Sequence, residues 1–119
     1  MSIFFRVEDL PEKINNAFKE KRTLNGDFVL SFKTLLKPNA TVPILWFTLL
    51  SDGIIFLTTH RRGLYKEIPK SDINSIRILS LDSKQNAIEI IFKDIYENNF
   101  VIPVPKEINL EILKEYLPT

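Results

Sequence analysis

The residues of this chain most able to do chemistry lie in one short run, His60-Arg61-Arg62-Gly63, with Lys66 close behind. His60 is the only histidine, and an imidazole acting as a general base needs a group that takes or holds its proton. Its sequence neighbours are two arginines rather than a carboxylate, so a catalytic triad lacks its parts. With no cysteine in 119 residues, thiolate nucleophiles, disulfides and thiolate metal sites are excluded. The carboxylates show no spacing of the EF-hand kind, and glycines at 26, 53 and 63 are too scattered to form a phosphate-cradling loop. Neither an enzyme nor a metal or other cofactor is therefore expected. What His60, Arg61, Arg62 and Lys66 can do together is bind an anion. Adjacent guanidinium forks beside a glycine present donors to a phosphate or carboxylate, each charge-assisted bond contributing about 1.5–3 kcal/mol before desolvation. The competing reading is a loop that only keeps the surface solvated.

A second group of interest is aromatic: Phe28, Phe32, Trp46, Phe47, Phe56, Phe92 and Phe100. Such a set can line a ligand cavity, but it is also the core that a domain of this length needs. Trp46 and Phe47 are adjacent, so on a strand they face opposite ways and cannot both point inward. One of them is expected to be exposed, or covered by the first helix or by another subunit, which makes the pair interface candidates.

The elements that must position these groups follow from the pattern of apolar residues. Leu10, Ile14, Ala17 and Phe18 share one helical face behind a capping-box-like Asp9 and Glu12, with Pro11 in the first turn, predicting a helix over about 9–22. From Asp27 the apolar period shortens to two, the signature of strands. Strands are expected from Asp27, then over Pro43–Leu50, Ile54–Thr59, Leu64–Ile68, Ile73–Leu79, Ala87–Lys93 and Asn99–Val104. Asp52-Gly53 lies between two β-rich halves and reads as a tight hairpin turn whose central residues take positive φ. The run 42–59 is apolar enough to suggest a membrane span, yet a charge at the centre of a bilayer costs about 2.5 kcal/mol or more, so the hairpin is the better reading. A final helix from about Lys106 or Asn109 carries Leu110, Leu113 and Leu117, with Ile112 and Tyr116 alongside, and stops at Pro118. Seven short strands in meander order followed by a helix make an α+β, mainly β, domain, with an apolar helix packed over the open end.

Composition agrees with a globular chain: 45% of residues are apolar and 26% charged. The net charge of +1 gives no general pull toward nucleic acid or anionic lipid. Residues 61–84 carry six Lys/Arg against three Asp/Glu, and residues 85–119 the reverse, three against six. No basic stripe with interleaved aromatics recurs, so nucleic acid is not an expected partner. Neither repeats nor linkers mark a second domain, and 1–119 is expected to be one unit with its core over about 27–117. The lack of cysteine and of a signal-peptide pattern points to the cytoplasm, with peripheral membrane contact as a variant.

The strand order resembles the pleckstrin-homology superfold, in particular its bacterial PH-like and GRAM-type families. The likeness rests most on Trp46-Phe47-Thr48-Leu49-Leu50-Ser51-Asp52-Gly53-Ile54-Ile55-Phe56-Leu57-Thr58-Thr59, similar to a hairpin of those families. It rests next on Gly63-Leu64-Tyr65-Lys66-Glu67-Ile68-Pro69-Lys70-Ser71-Asp72-Ile73-Asn74-Ser75-Ile76, similar to their passage into the fifth strand. The resemblance implies a seven-stranded antiparallel sandwich or open barrel, capped by the C-terminal helix, with the N-terminal helix as an addition. It does not extend to an inositol-phosphate site: Lys33 and Lys37 are followed by Thr41-Val42-Pro43-Ile44-Leu45, with no basic residue at the start of the second strand. The expected function is a non-enzymatic interaction module that binds a protein partner or a second copy of itself. Weak binding of an anionic lipid headgroup or metabolite by the 60–66 loop is the alternative, and a small immunity- or defence-type protein a third.

Overall fold

Alternation of large apolar residues from Phe28 onward produces seven antiparallel strands in two sheets. The computed structural model describes residues 3–59, 63–82 and 85–117. Strands β1 (Phe28–Thr34), β2 (Leu45–Leu50), β3 (Gly53–Thr58) and β4 (Tyr65–Pro69) form one sheet in that order, and β5 (Ile73–Ser80), β6 (Asn86–Phe92) and β7 (Phe100–Val104) the other. Among the described residues no ladder joins the two sheets, so of the expected alternatives the architecture is a sandwich and not a closed barrel. Helices α1 (Glu12–Lys21) and α2 (Leu110–Tyr116) flank the strands in sequence.

The β2–β3 hairpin departs from expectation by one residue. Leu50 pairs with Gly53, so Ser51 and Asp52 are the turn residues, and no described residue has a positive φ. Gly53 is required for a different reason. A Cβ there would collide with the Ile68 carbonyl oxygen and with Leu24, which β4 and the α1–β1 connector bring against the turn.

Between the sheets, β1–β3 direct Leu30, Phe32, Phe47, Leu49, Ile54 and Phe56 at Ile76, Ile88, Ile90, Phe92 and Ile102. Ring contacts run through this layer from Phe32 to Phe47, Phe56, Phe100 and Phe92, with centroid separations of 5.1–5.9 Å. These aromatics therefore fill the interior, at about 1.5–3 kcal/mol of hydrophobic stabilisation per buried side chain. Leu113 of α2 and Leu117 at its C-cap belong to the same cluster, while Ile112 and Tyr116 remain exposed. Asn109 caps α2 by accepting from the N–H groups of Glu111 and Ile112, which places the helix start at the later of the two expected positions.

Strand β2 is buried at every position because both of its faces are covered. The second cover is α1 with the residue just ahead of its cap: Ile14 and Phe18 of the helix and Leu10 before it lie on Trp46, Leu50, Ile55 and Leu57 of the outer face. The cap of α1 differs from the sequence reading. Pro11 occupies the N-cap position without a side-chain bond, while Asp9 ends a short 3-10 turn, Val7–Asp9, and pairs with Arg6 at 3.6 Å.

Candidate interaction surfaces

The sequence candidates end up apart. His60, Arg61 and Arg62 lie outside the described residues. Lys66 is on β4, where its ammonium stands 4.7 Å from the centre of the Phe100 ring and 3.9 Å from the Glu97 carboxylate. Those groups already balance its charge. The adjacent cavity, about 530 Å³, is lined by Lys66 and Lys93 but also by Glu67, Asp72, Asp94 and Glu97, a poor setting for an anion. Trp46 and Phe47 face opposite ways as expected, and neither is exposed. Phe47 is in the core between the sheets, and Trp46 is under α1 with Phe4 against it, ring centres 5.8 Å apart. Of the covers considered for the pair, the first helix is the one present.

Three of the four outer strand edges are blunted. The edge of β1 is met by Phe4, which exchanges two backbone hydrogen bonds of 2.8 Å with Ser31. In β7, Pro103 has no N–H to offer, its carbonyl accepts from the Thr34 hydroxyl, and the Gln85 amide donates to Val104. Strand β4 is five residues long and stops at Pro69. Strand β5 is different: it has eight residues and no proline, and among the described residues nothing pairs with the outer edge of Asn74 to Ser80. An unpaired edge of that length is a template for another strand.

Beside this edge runs a groove of about 310 Å³. Val29, Leu49, Ile54, Ile73 and Ile76 form its floor, and Lys70, Asn74 and Tyr116 stand on its rim. Among the described residues Lys70 is the only charged one lining the groove, and it makes no ion pair with them.

Adjoining the groove at Ser51, a seam holds the α1–β1 connector down. Glu67 accepts from the Thr23 N–H at 2.8 Å, the Thr23 hydroxyl at 2.6 Å and the Leu24 N–H at 3.1 Å, and Tyr65 donates to it at 2.6 Å. Asp52 accepts from the N–H groups of Asn25 at 3.1 Å and Gly26 at 2.8 Å, and Ser51 Oγ from that of Asp27 at 2.7 Å. Gly26 admits the Asp52 carboxylate, with which a Cβ would collide. Partial burial disfavours the charged form of Glu67 and is its largest single influence. The hydrogen bonds from Thr23, Tyr65 and Leu24 together outweigh it and hold the carboxyl below its ordinary range. Burial, reinforced by the Glu67 carboxylate, pushes the Tyr65 hydroxyl up.

Comparison with known structures agrees with this architecture. The crystal structure of a pleckstrin homology domain from Shewanella amazonensis SB2B superposes with a TM-score of 0.58, over 87% of this chain and 91% of that one, at 13% sequence identity. The fold is PH-like. At that identity the likeness is one of fold alone, and no protein-family model and no curated protein matches the sequence. The seven strands and C-terminal helix of this PH-like chain are the elements that its sequence order implied. A shared scaffold does not fix function, which is carried by surface sites.

The sequence left open which sheet edge, helix or apolar patch of this PH-like scaffold faces outward. The β5 edge left one signal, since β5 is the longest strand and lacks the proline that β4 and β7 carry. The seam left none, because Thr23, Asp52 and Glu67 are far apart along the chain. Ile95 and Tyr96, 86% and 89% exposed in the β6–β7 connection, were hidden in what reads as a polar turn. No helix among the described residues is long and apolar enough to cross a membrane.

Proposed function

We propose that this chain is a non-enzymatic PH-like interaction module that takes a protein partner, a second copy included, by adding a strand to the outer edge of β5. The observation that supports this reading is the contrast among edges: β5 alone is long, free of proline and, among the described residues, uncovered, and it borders an apolar groove. Main-chain hydrogen bonds to the edge would supply affinity. The groove floor would select an apolar side chain on every second residue of the incoming strand. Lys70, the one charged group on the groove, favours a partner segment with a carboxylate nearby.

The test compares the chain with its Asn74→Lys variant, which sets a charge on the groove beside the edge without touching the core. Light scattering after size exclusion, and retention of a defined partner from the source organism, are expected for the chain and lost by at least tenfold in the variant. A strictly monomeric chain that retains nothing, or association unchanged by Asn74→Lys, would overturn the reading.

A further inference from the structure

The groove beside β5 has a direction, and the direction says which part of a partner reaches it. Strand β5 begins at Ile73, and the residues before it, Lys70–Asp72, are a 3-10 turn leading back to β4. The register with β6 shifts between Ile73 and Ser75, a bulge that leaves Asn74 without a partner across the ladder and on the rim of the groove. Main-chain groups for an added strand therefore run out at Asn74. At this same end the Lys70 N–H donates to the Asp52 carbonyl at 2.8 Å, which fixes Lys70 to the β2–β3 turn, and Ser51 and Gly53 of that turn line the groove.

The sheet of β5, β6 and β7 is antiparallel throughout, and antiparallel pairing is the slightly more stable kind. A strand added in that sense runs from Ser80 toward Asn74, so its C-terminal end arrives at the groove. A parallel strand would bring its N-terminal end there, and a terminal ammonium would meet the like charge of Lys70.

The polar groups on the groove suit a carboxylate. The Lys70 ammonium and the Tyr116 hydroxyl have no hydrogen-bond partner among the described residues. Ser51 Oγ accepts from the Asp27 N–H, which leaves its own proton to donate. Of the acids nearest in sequence, Asp52 holds the Asn25 and Gly26 N–H groups, and Asp72 lines the cavity beside Lys66.

On an added strand, side chains of one face are two residues apart. An internal Asp or Glu set at Lys70 would take the position that the apolar floor requires. The last residue of a chain has no such conflict, because its main chain carries the carboxylate while its side chain enters the floor. At about 310 Å³ the groove is at the small end of ligand pockets, about 300–1,000 Å³, a size for a chain end rather than a longer segment.

We propose that the groove captures the free C-terminus of a partner protein, with an apolar last residue seated on Ile54, Ile73 and Ile76 and its carboxylate held by Lys70, at the end of a strand added antiparallel to β5. This rests on strand addition at β5 and narrows it to partners whose chain ends at the groove.

The probes are two libraries of randomised synthetic octapeptides, one with free carboxyl ends and one with amidated ends. Each is retained on the immobilised chain, and the retained peptides are measured singly by fluorescence polarisation. Peptides with an apolar last residue are expected from the free-acid library, with their amidated forms binding about tenfold more weakly or worse. Lys70→Gln, checked for folding by circular dichroism, should remove that preference and leave the affinity of the amides unchanged, a split that a merely structural role for Lys70 would not produce. A preference that survives Lys70→Gln, or equal binding of both forms, overturns the proposal. Where both forms bind equally, amide protection at Asn74–Ser80 in the complex leaves strand addition standing, and its absence removes that reading too. Retention of no peptide from either library overturns both.

Discussion

The outer face of β1–β4 and the outer edge of β5 present the same physical problem, unsatisfied surface, and the chain treats them differently. On the first, α1 buries four large apolar residues and side chains tie down five successive amides. On the second, an eight-residue strand and its apolar groove are left without a cover among the described residues. Since β1, β4 and β7 are each blunted by a bridge, a proline or a side-chain cap, openness at β5 is a local property and not a general looseness of the fold. The difference separates surface that this molecule satisfies itself from surface that it offers.

The comparison can be broken most forcefully at the covered face. Trp46→Ala removes the centre of the outer cluster, and a loss of about 3–5 kcal/mol is expected in urea unfolding, as for other large aromatics cut to alanine. A loss below about 1 kcal/mol would mean that α1 contributes little cover. Next in size is Glu67→Gln, which weakens charge-assisted bonds from Thr23, Tyr65 and Leu24; about 2 kcal/mol is expected from the same measurement.

Acid sharpens the same point. The folded-state carboxyl of Glu67 is held below the ordinary glutamate value of 4.5, so its contribution is fully present above that value. The contribution fades as pH falls through the lower folded value. Stability followed by thermal melting from pH 6 downward should therefore lose a component below about pH 4.5, and Glu67→Gln should lack that component. The smallest effect is expected at the open edge. Asn74→Lys should change stability by no more than about 0.5 kcal/mol, because the residue is exposed and packs against nothing in the core.

The legible part of this molecule was the part that local pattern controls. The shift of period at Asp27, the alternation through Phe28, Leu30 and Phe32, and the apolar face of Leu10, Ile14 and Phe18 set the elements and their order. The resemblance then supplied the way the sheets are arranged. Turn detail was not legible, because the conformation at Ser51-Asp52-Gly53 depends on Leu24 and Ile68 pressing against Gly53 from elsewhere in the chain. Trp46 and Phe47 were correctly split between two faces, but that both would be buried depended on α1 docking, a contact between distant residues. Lys66 looked like part of a cationic loop. Its actual neighbours are Phe100 of the other sheet and Glu97 from the connection that precedes that strand. The openness of β5 is a relation between strands, and no single stretch of sequence contains it.

Amide hydrogen exchange of the chain, free and loaded with a partner that it retains, tests the central claim most directly. The expected result is new protection confined to Asn74–Ser80 and the adjoining groove, with the amides of Glu12 to Leu24 unchanged. Protection appearing instead over α1 or around Ile95 and Tyr96, with β5 unaffected, would contradict it.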